Sequence, residues 1–232
     1  MNMQARHTGW ANAVFKIYIL RLLKKHFHSF RMIGDYPRID KTLPAILLPN
    51  HSTWWDGFFV YLLNEKLFKR KIFLMMLEEQ LQNYPFFNKV GAFGIRPQNP
   101  KHTLNTLLYA TRQLSKDNLL CFFPQGELTS NRKRPVVFKP GLKWVVEKYG
   151  QKTQIIPVIM HVEMTEHQYP EVFFHFSDIK IYDGQHVPDV NQIAEQQEKY
   201  LDDMAAQLAA GHKGQELFKG RRSISEVMRK RN

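Results

Sequence analysis

The 232 residues are 44% hydrophobic and 23% charged, which is enough apolar material for one packed domain of large ordinary size and too mixed for a disordered chain or a bundle of membrane spans. Thirty-three Lys and Arg against 21 Asp and Glu leave a net charge of +12. That excess favours an anionic partner, whether nucleic acid, an anionic bilayer face, a phosphorylated substrate or an acidic carrier protein. The single cysteine, Cys121 within LLCFF, excludes an intrachain disulfide and a cysteine-built metal site, and fits a buried thiol in a reducing, cytoplasmic-side setting.

From Trp10 to Phe30 the chain reads WANAVFKIYILRLLKKHFHSF. Its longest uncharged apolar stretch after Lys16 is Ile17 to Leu20, far below the ~20 residues that span a bilayer. Lys16 also breaks the apolar core that a secretory signal needs. Val14, Ile17, Tyr18 and Leu22 recur at helical spacing, with Lys16, Arg21, Lys24 and Lys25 among them. Two readings of this amphipathic helix stay open: it lies in a membrane interface, marked by Trp10 and Tyr18, or it packs on its own domain.

Ala45 to Leu48, closed by Pro49 and Asn50, reads as a buried strand reaching its C-terminal edge, where open α/β sheets place reactive groups. The stretch that follows is NHSTWWDGFF, Asn50 to Phe59. His51 and Asp56 would diverge by about 140° if both were helical, since five residues turn about 500°. They meet only if His51 lies on the loop and Asp56 in the first helical turn. Thr53 with Asp56 three residues on fits a capping box before Phe58, Phe59, Tyr61, Leu62 and Leu63, so the junction is available. A carboxylate on one imidazole nitrogen would fix the tautomer and leave the other nitrogen to take a proton from a hydroxyl. The plainer reading is a structural His beside a capping Asp.

Leu62 to Phe68 ends this helix, and Lys71 to Leu77 reads as a second buried strand. Glu78 to Asn88 looks helical but is interrupted by Pro85, and GAFGIRP, Gly91 to Pro97, follows. Thr103 to Leu114 is a one-faced helix, and Leu119 to Phe123 a third strand running into PQGELTSNRKRP. Pro140 and Gly141 open a helix through Lys148 that stops at Gly150, and Gln154 to Met160 is a strand interrupted by Pro157. Glu171 to Phe176 and Ile179 to Tyr182 suggest two more strands, Asn191 to Ala210 a helix, and Phe218 to Asn232 a basic, mobile tail.

Strands that alternate with helices predict an α/β fold: a single domain with a mostly parallel sheet covered by helices, plus the N-terminal amphipathic helix. We divide the chain into an N-terminal segment, 1–34, a catalytic domain, 35–215, and a basic C-terminal tail, 216–232. Parallel strands bring their C-terminal ends to one edge, so three loops are expected to converge. They carry Asn50, His51 and Asp56, then Gly94 and Arg96, then Gln125, Gly126 and Glu127.

Together these blocks resemble the glycerolipid acyltransferase family that includes the bacterial lysophosphatidate acyltransferases. NHSTWWD fits the family's NHxxxxD signature at Asn50, His51 and Asp56, and Tyr84, Pro85, Gly91, Phe93, Ile95 and Arg96 fall on its second block. FPQGELTS, Phe123 to Ser130, stands in the place of its FPEGTRS, and IIPVIM with Pro157 matches its fourth block. The resemblance, from about Pro44 to His161, implies an O-acyltransferase of phospholipid biosynthesis. It needs no metal or cofactor, takes acyl-CoA or acyl-carrier protein as donor, and lies peripherally on the cytoplasmic face of the membrane.

In that scheme His51 is the general base and Asp56 orients it. Arg96 grips an anionic head group, Gly94 allows close backbone approach, and backbone N–H groups near Gly126 face the oxyanion. Trp54, Trp55, Phe58 and Phe59 are candidates for an acyl-chain groove, against the ordinary reading of core packing.

The third block departs from the family's pattern. Gln125 removes a charge, and Glu127 and Leu128 replace the expected Thr and Arg. Arg132, Lys133 or Arg134 are possible substitutes for that arginine. An acidic Glu127 disfavours a phosphate and suits sugar hydroxyls, so a glycosylated carotenoid or glycolipid is the alternative acceptor to a lysophospholipid. Two other readings are a basic nucleic-acid binding module, for which zinc-finger, RNA-binding and recognition-helix signatures are missing, and a membrane-bound scaffold that has lost activity.

Overall fold

The computed structural model describes residues 3–224 and 228. Its framework is a nine-stranded sheet. The strands are β1 (Ser29–Met32), β2 (Ala45–Pro49), β3 (Lys71–Leu77), β4 (Ala92–Ile95), β5 (Asn118–Cys121), β6 (Thr153–Glu163), β7 (Glu171–Phe176), β8 (Lys180–Tyr182) and β9 (Gln215–Lys219). The helices are α1 (Gly9–His26), α2 (Asp56–Leu63), α3 (Glu78–Asn83), α4 (Pro100–Arg112), α5 (Gly141–Tyr149) and α6 (Val190–Ala209). The sheet order is β4-β3-β5-β2-β6-β7-β1-β9, with β8 paired to β6. From β4 to β6 all neighbours are parallel, whereas β7 runs antiparallel to β6, β1 parallel to β7 and β9 antiparallel to β1. The expected α/β domain with a mostly parallel, helix-covered sheet is what forms.

Both sheet faces are buried, which is why the strands read as unbroken apolar runs. Alternation along β2 sends Ala45 and Leu47 into one core with Phe15, Ile19, Phe59 and Leu62 of α1 and α2. Ile46 and Leu48 enter the other, with Ala110, Val145, Val146 and Leu201 of α4, α5 and α6.

Helix α1 answers the open question of its partner. Ala11, Phe15, Ile19 and Leu23, spaced by four, are buried, and burying the three large ones contributes roughly 5–9 kcal/mol before chain entropy. Val14, Ile17 and Tyr18, chosen from the sequence as the apolar face, are instead about half exposed, at 52%, 53% and 52%. The helix therefore packs on its domain and still presents a second apolar stripe outward.

The terminal segments belong to the fold more than expected. Residues 3–8 form a strap beside the edge strand β4, where the Gly94 N–H donates to the Met3 carbonyl at 2.8 Å and the Arg6 N–H to Asn88 at 2.8 Å. β1, inside the expected N-terminal segment, lies between β7 and β9. β9 covers most of the first residues of the expected basic tail, so the compact fold extends past residue 215; positions 225–227 and 229–232 of that tail lie outside the described residues.

Pro157 does not interrupt β6, which continues to Glu163. One side of β6 pairs with β8 over Thr153–Ile155 and with β7 from Val158 on, and Pro157 sits in the gap. Its carbonyl accepts from Ser177 there, and the missing N–H faces the same change of partners, so no ladder bond is lost.

Candidate active site

β2 ends at Pro49, and the chain turns through residues 50–55 before α2 begins at Asp56. The geometry required of the pair is met: His51 Nδ1 lies 2.9 Å from Asp56 Oδ2. Asp56 is 1% exposed, while the His51 side chain keeps 24% of its surface. Asp56 Oδ2 also accepts the N–H groups of Ser52 at 2.6 Å and Thr53 at 2.8 Å, and Oδ1 accepts the Thr53 hydroxyl at 2.7 Å. The carboxylate half of the capping box is thus formed. Its other half differs, because Thr53 Oγ1 accepts from Trp55 rather than Asp56. Bound to a buried carboxylate through Nδ1, the ring presents Nε2 for proton transfer.

Three further contacts fix His51, and the sequence pointed to none of them. Phe123 stacks on the imidazole with centroids 4.1 Å apart and planes at 25°. Gln125 Oε1 accepts the His51 N–H at 2.6 Å, and the Thr129 N–H donates to the His51 carbonyl at 2.7 Å. Gln125 is buried and its side-chain oxygen serves the loop backbone. Neutrality suffices for that task, since a carboxamide oxygen accepts the N–H as a carboxylate would. Only its place in the third block marked it.

Asn50 is fully buried and holds β6: its Oδ1 accepts the Met160 N–H at 2.6 Å, and its Nδ2 donates to Met160 O at 2.9 Å and Asn131 Oδ1 at 2.7 Å. Gly126 takes φ +76° and gives its own N–H to Phe123 O at 3.0 Å, so that N–H is committed within the loop. Glu127 is exposed beside it.

The second block sits elsewhere than the sequence suggested. Gly94 lies within β4, buried, and not in a ligand-facing loop. A Cβ there would meet Glu78 Cγ at 2.9 Å and Cβ at 3.0 Å, so the glycine accommodates α3. Arg96, 51% exposed, pairs with the buried Glu78 at 2.7 Å, and His102 Nε2 approaches the other Glu78 oxygen at 2.6 Å. β4 stands three strand spacings from β2, about 14 Å. The blocks share one sheet edge without the close convergence expected of them.

Among the expected groove residues, Phe59 is a core side chain packed on Phe27, Phe30 and Phe174. Its buried place, dictated by the inner face of α2, rules it out as an exposed wall. Phe58 is buried, Trp55 half-buried against Phe27 at 5.1 Å, and Trp54 exposed at 61%. The Cys121 thiol is buried, and burial pushes its pKa well up.

Two cavities border this framework. One, of about 280 Å³ between α1 and α2, is lined by Arg70 and Lys71 at the start of β3, the end of the sheet away from the dyad. The other, of about 630 Å³, lies between the Asn131–Arg134 segment, the β6–β7 connection and α6. His28, His167 and Glu171 form the one group of metal-ligand type among the described residues, with ligand atoms within 4.8 Å. The two imidazoles stack at 3.6 Å, and Glu171 already accepts the Ser29 and Thr165 hydroxyls, which makes this a packed polar cluster.

Among solved structures, the chain is similar to PlsC, the 1-acyl-sn-glycerophosphate (LPA) acyltransferase of Thermotoga maritima. The TM-score is 0.56 at 14% identity, over 85% of this chain and 79% of that one, which shows the fold alone. A comparison with curated protein sequences found no match. The family model described as Acyltransferase matches residues 33–161, more than half of the chain, from before β2 into β6 and including the His51 and Asp56 loop. The chain therefore belongs to the acyltransferase family and is an acyltransferase.

Proposed function

We propose that this acyltransferase moves a fatty acyl chain from a thioester donor, acyl-CoA or acyl-carrier protein, to a hydroxyl of a lipid acceptor at a membrane surface, with His51 as general base. The observation that carries the reading is the 2.9 Å contact of His51 Nδ1 with the buried Asp56 carboxylate. Nε2 takes the acceptor's proton as its oxygen attacks the thioester carbonyl. The tetrahedral intermediate collapses with loss of the C–S bond, and the imidazolium returns the proton to the leaving thiolate. General-base help is worth about 10²–10⁴ in rate, and positioning and oxyanion donors supply more. No resident metal or cofactor enters the scheme.

Membrane placement draws on surface chemistry. Trp10, Val14, Ile17 and Tyr18 are exposed on one stripe of α1. Ring contacts from Trp10 to Phe86 at 6.3 Å, Phe86 to Phe15 at 5.8 Å, Phe15 to Phe58 at 6.5 Å and Phe58 to Trp54 at 4.9 Å connect that stripe to the dyad loop. Aromatic rings on a chain of net charge +12 suit the anionic cytoplasmic leaflet. No helix among the described residues is long and apolar enough to cross a membrane.

A lysophospholipid is one acceptor class. A non-phosphate acceptor, such as a glycolipid or glycosylated carotenoid, is favoured by the tie of Arg96 to Glu78, which leaves the arginine partly neutralised. The test is mass spectrometry of purified enzyme with isotope-labelled acyl-CoA and carrier-linked acyl donors, offered to lysophospholipids, glycolipids and glycosylated pigments. His51→Ala is expected to lose about 10²-fold or more of the transfer; full activity in that variant would remove His51 from the mechanism.

A further inference from the structure

The His51 imidazole is held from two directions. Asp56 meets Nδ1 at 2.9 Å, and the Phe123 ring covers one face with centroids 4.1 Å apart and planes at 25°. The place of Phe123 follows from the sheet. β2 and β5 are parallel neighbours with Leu47 opposite Cys121, and beyond β5 the Phe122 N–H still donates to Leu47 O at 3.2 Å. Side chains alternate along this extension. Leu119 and Cys121 enter the core beneath α2, and Phe123 packs against that core, whereas Leu120 and Phe122 enter the core of the other face. Phe123 is thus delivered to the side of the sheet where α2 begins with Asp56, beside the strand end that His51 leaves.

The neighbours of Phe123 keep it there. Its carbonyl accepts the Gly126 N–H at 3.0 Å, Pro124 O accepts the Lys139 N–H at 2.8 Å, and Gln125 Oε1 accepts the His51 N–H at 2.6 Å. The ring and the imidazole are therefore tied through the same short loop.

What such a stack contributes depends on charge. The face of a phenyl ring is negative, so two neutral rings prefer offset or edge contacts with centroids about 4.5–7 Å apart over a face-to-face sandwich. A cation over that face, within about 6 Å of the centroid, is attracted to it, and more strongly as water is excluded. A near-parallel pair at 4.1 Å gains most when the imidazole is the charged partner. His51 becomes charged in the acyl-transfer step: the acceptor O–H bond breaks, Nε2 takes the proton, and the oxygen bonds to the thioester carbon.

We propose that Phe123 is a positioning residue for acyl transfer whose π face stabilises the imidazolium forming on His51, with Asp56 acting along the ring plane and Phe123 across it. The proposal rests on the general-base reading above and deepens it. A phenyl that merely fills space is replaceable by any ring of its shape; one that acts on charge is not.

The test keeps shape and changes charge. Full-length protein with mono-, di- or trifluorinated phenylalanine in place of Phe123 is assayed for CoA release from palmitoyl-CoA, with lysophosphatidate and with an alkyl glucoside as acceptors. Fluorine draws electron density from the ring face. The expected result is a stepwise fall in kcat, by about two- to thirtyfold over the series, with the KM for palmitoyl-CoA and the urea midpoint unchanged. Phe123→Tyr, which keeps the face, should hold kcat within about twofold, and Phe123→Leu, which removes it, should fall as far as the trifluorinated protein.

A kcat that is flat across the fluorinated series, with His51→Ala inactive, overturns the proposal and leaves the general-base reading standing. Full transfer by His51→Ala removes the general base and the proposal with it. NMR of histidine-labelled protein checks the geometry without substrate. The His51 ring protons should carry an upfield ring-current displacement that Phe123→Leu abolishes; identical His51 shifts in the two proteins would show that no stack forms and overturn the proposal as well.

Discussion

Glu78 and Arg96 form a 2.7 Å ion pair in which the acid is buried and the base is half exposed. His102 approaches the second carboxylate oxygen at 2.6 Å, and Gly94 packs against the glutamate's stem. The pair holds the β3–α3 corner against the edge strand β4. Glu78→Ala is expected to cost about 1–3 kcal/mol, less than a fully buried pair because Arg96 can rehydrate. Urea unfolding would register this, and an unchanged midpoint would show the pair to be ornamental.

Asp56→Asn removes the charge beside His51 while keeping one acceptor oxygen for the loop amides. A fall in kcat of about 10²–10⁴ with a nearly unchanged KM is expected from steady-state kinetics. Because Thr53 donates to Oδ1 at 2.7 Å, Thr53→Val should cost far less, about tenfold or below. Equal losses in the two variants would contradict the division of labour.

Gln125→Glu restores the residue usual in the family at this place and keeps an acceptor for the His51 N–H, so activity should stay within about threefold. Gln125→Leu leaves that N–H unsatisfied, with an expected cost of about 1–3 kcal/mol in stability and a kcat loss of about tenfold or more. Comparing the unfolding midpoint and kcat of the two variants decides whether acceptance at 2.6 Å, rather than charge, is what the position supplies.

Acid should loosen the N-terminal strap. Burial, with the Lys71 charge beside it, lowers the His7 imidazole from 6.5 to about 4. Between these values the unfolded chain takes up a proton that the folded one refuses. Stability therefore rises with pH through that window and falls on acidification, by roughly 1–2 kcal/mol for this half-buried ring once solvent screening is allowed for. Urea midpoints at pH 7.5 and 4.5 should differ less in His7→Gln than in the parent; an equal difference would remove His7 as the cause.

The two faces of α1 predict opposite phenotypes. Phe15→Ala hollows a core position that is 3% exposed and should cost about 3–5 kcal/mol. Ile17→Ser with Tyr18→Ser, on the exposed stripe, should change stability by no more than about 0.5 kcal/mol per site yet reduce flotation with anionic vesicles. Undiminished flotation would show that the stripe is not the membrane contact.

By itself the sequence determined the alternation of strands and helices and the His51 and Asp56 junction, because both are written in local order: apolar runs bounded by turn residues, and a five-residue spacing that only a loop-to-helix step can close. Lys71–Leu77 and Glu171–Phe176 form the strands read from those runs. Tertiary structure decided what local order leaves degenerate. α1 has two apolar stripes, and only packing against α2 and against Phe86 and Phe87 selected Phe15 and Ile19 over Val14 and Ile17. Pro157 reads as an interruption until the change of partner from β8 to β7 is known. Gln125 and Glu78 act through partners 74 and 18 residues away, Arg96 being held by the latter. Such pairings depend on which strand ends meet at the sheet edge, a relation that no spacing along the chain encodes.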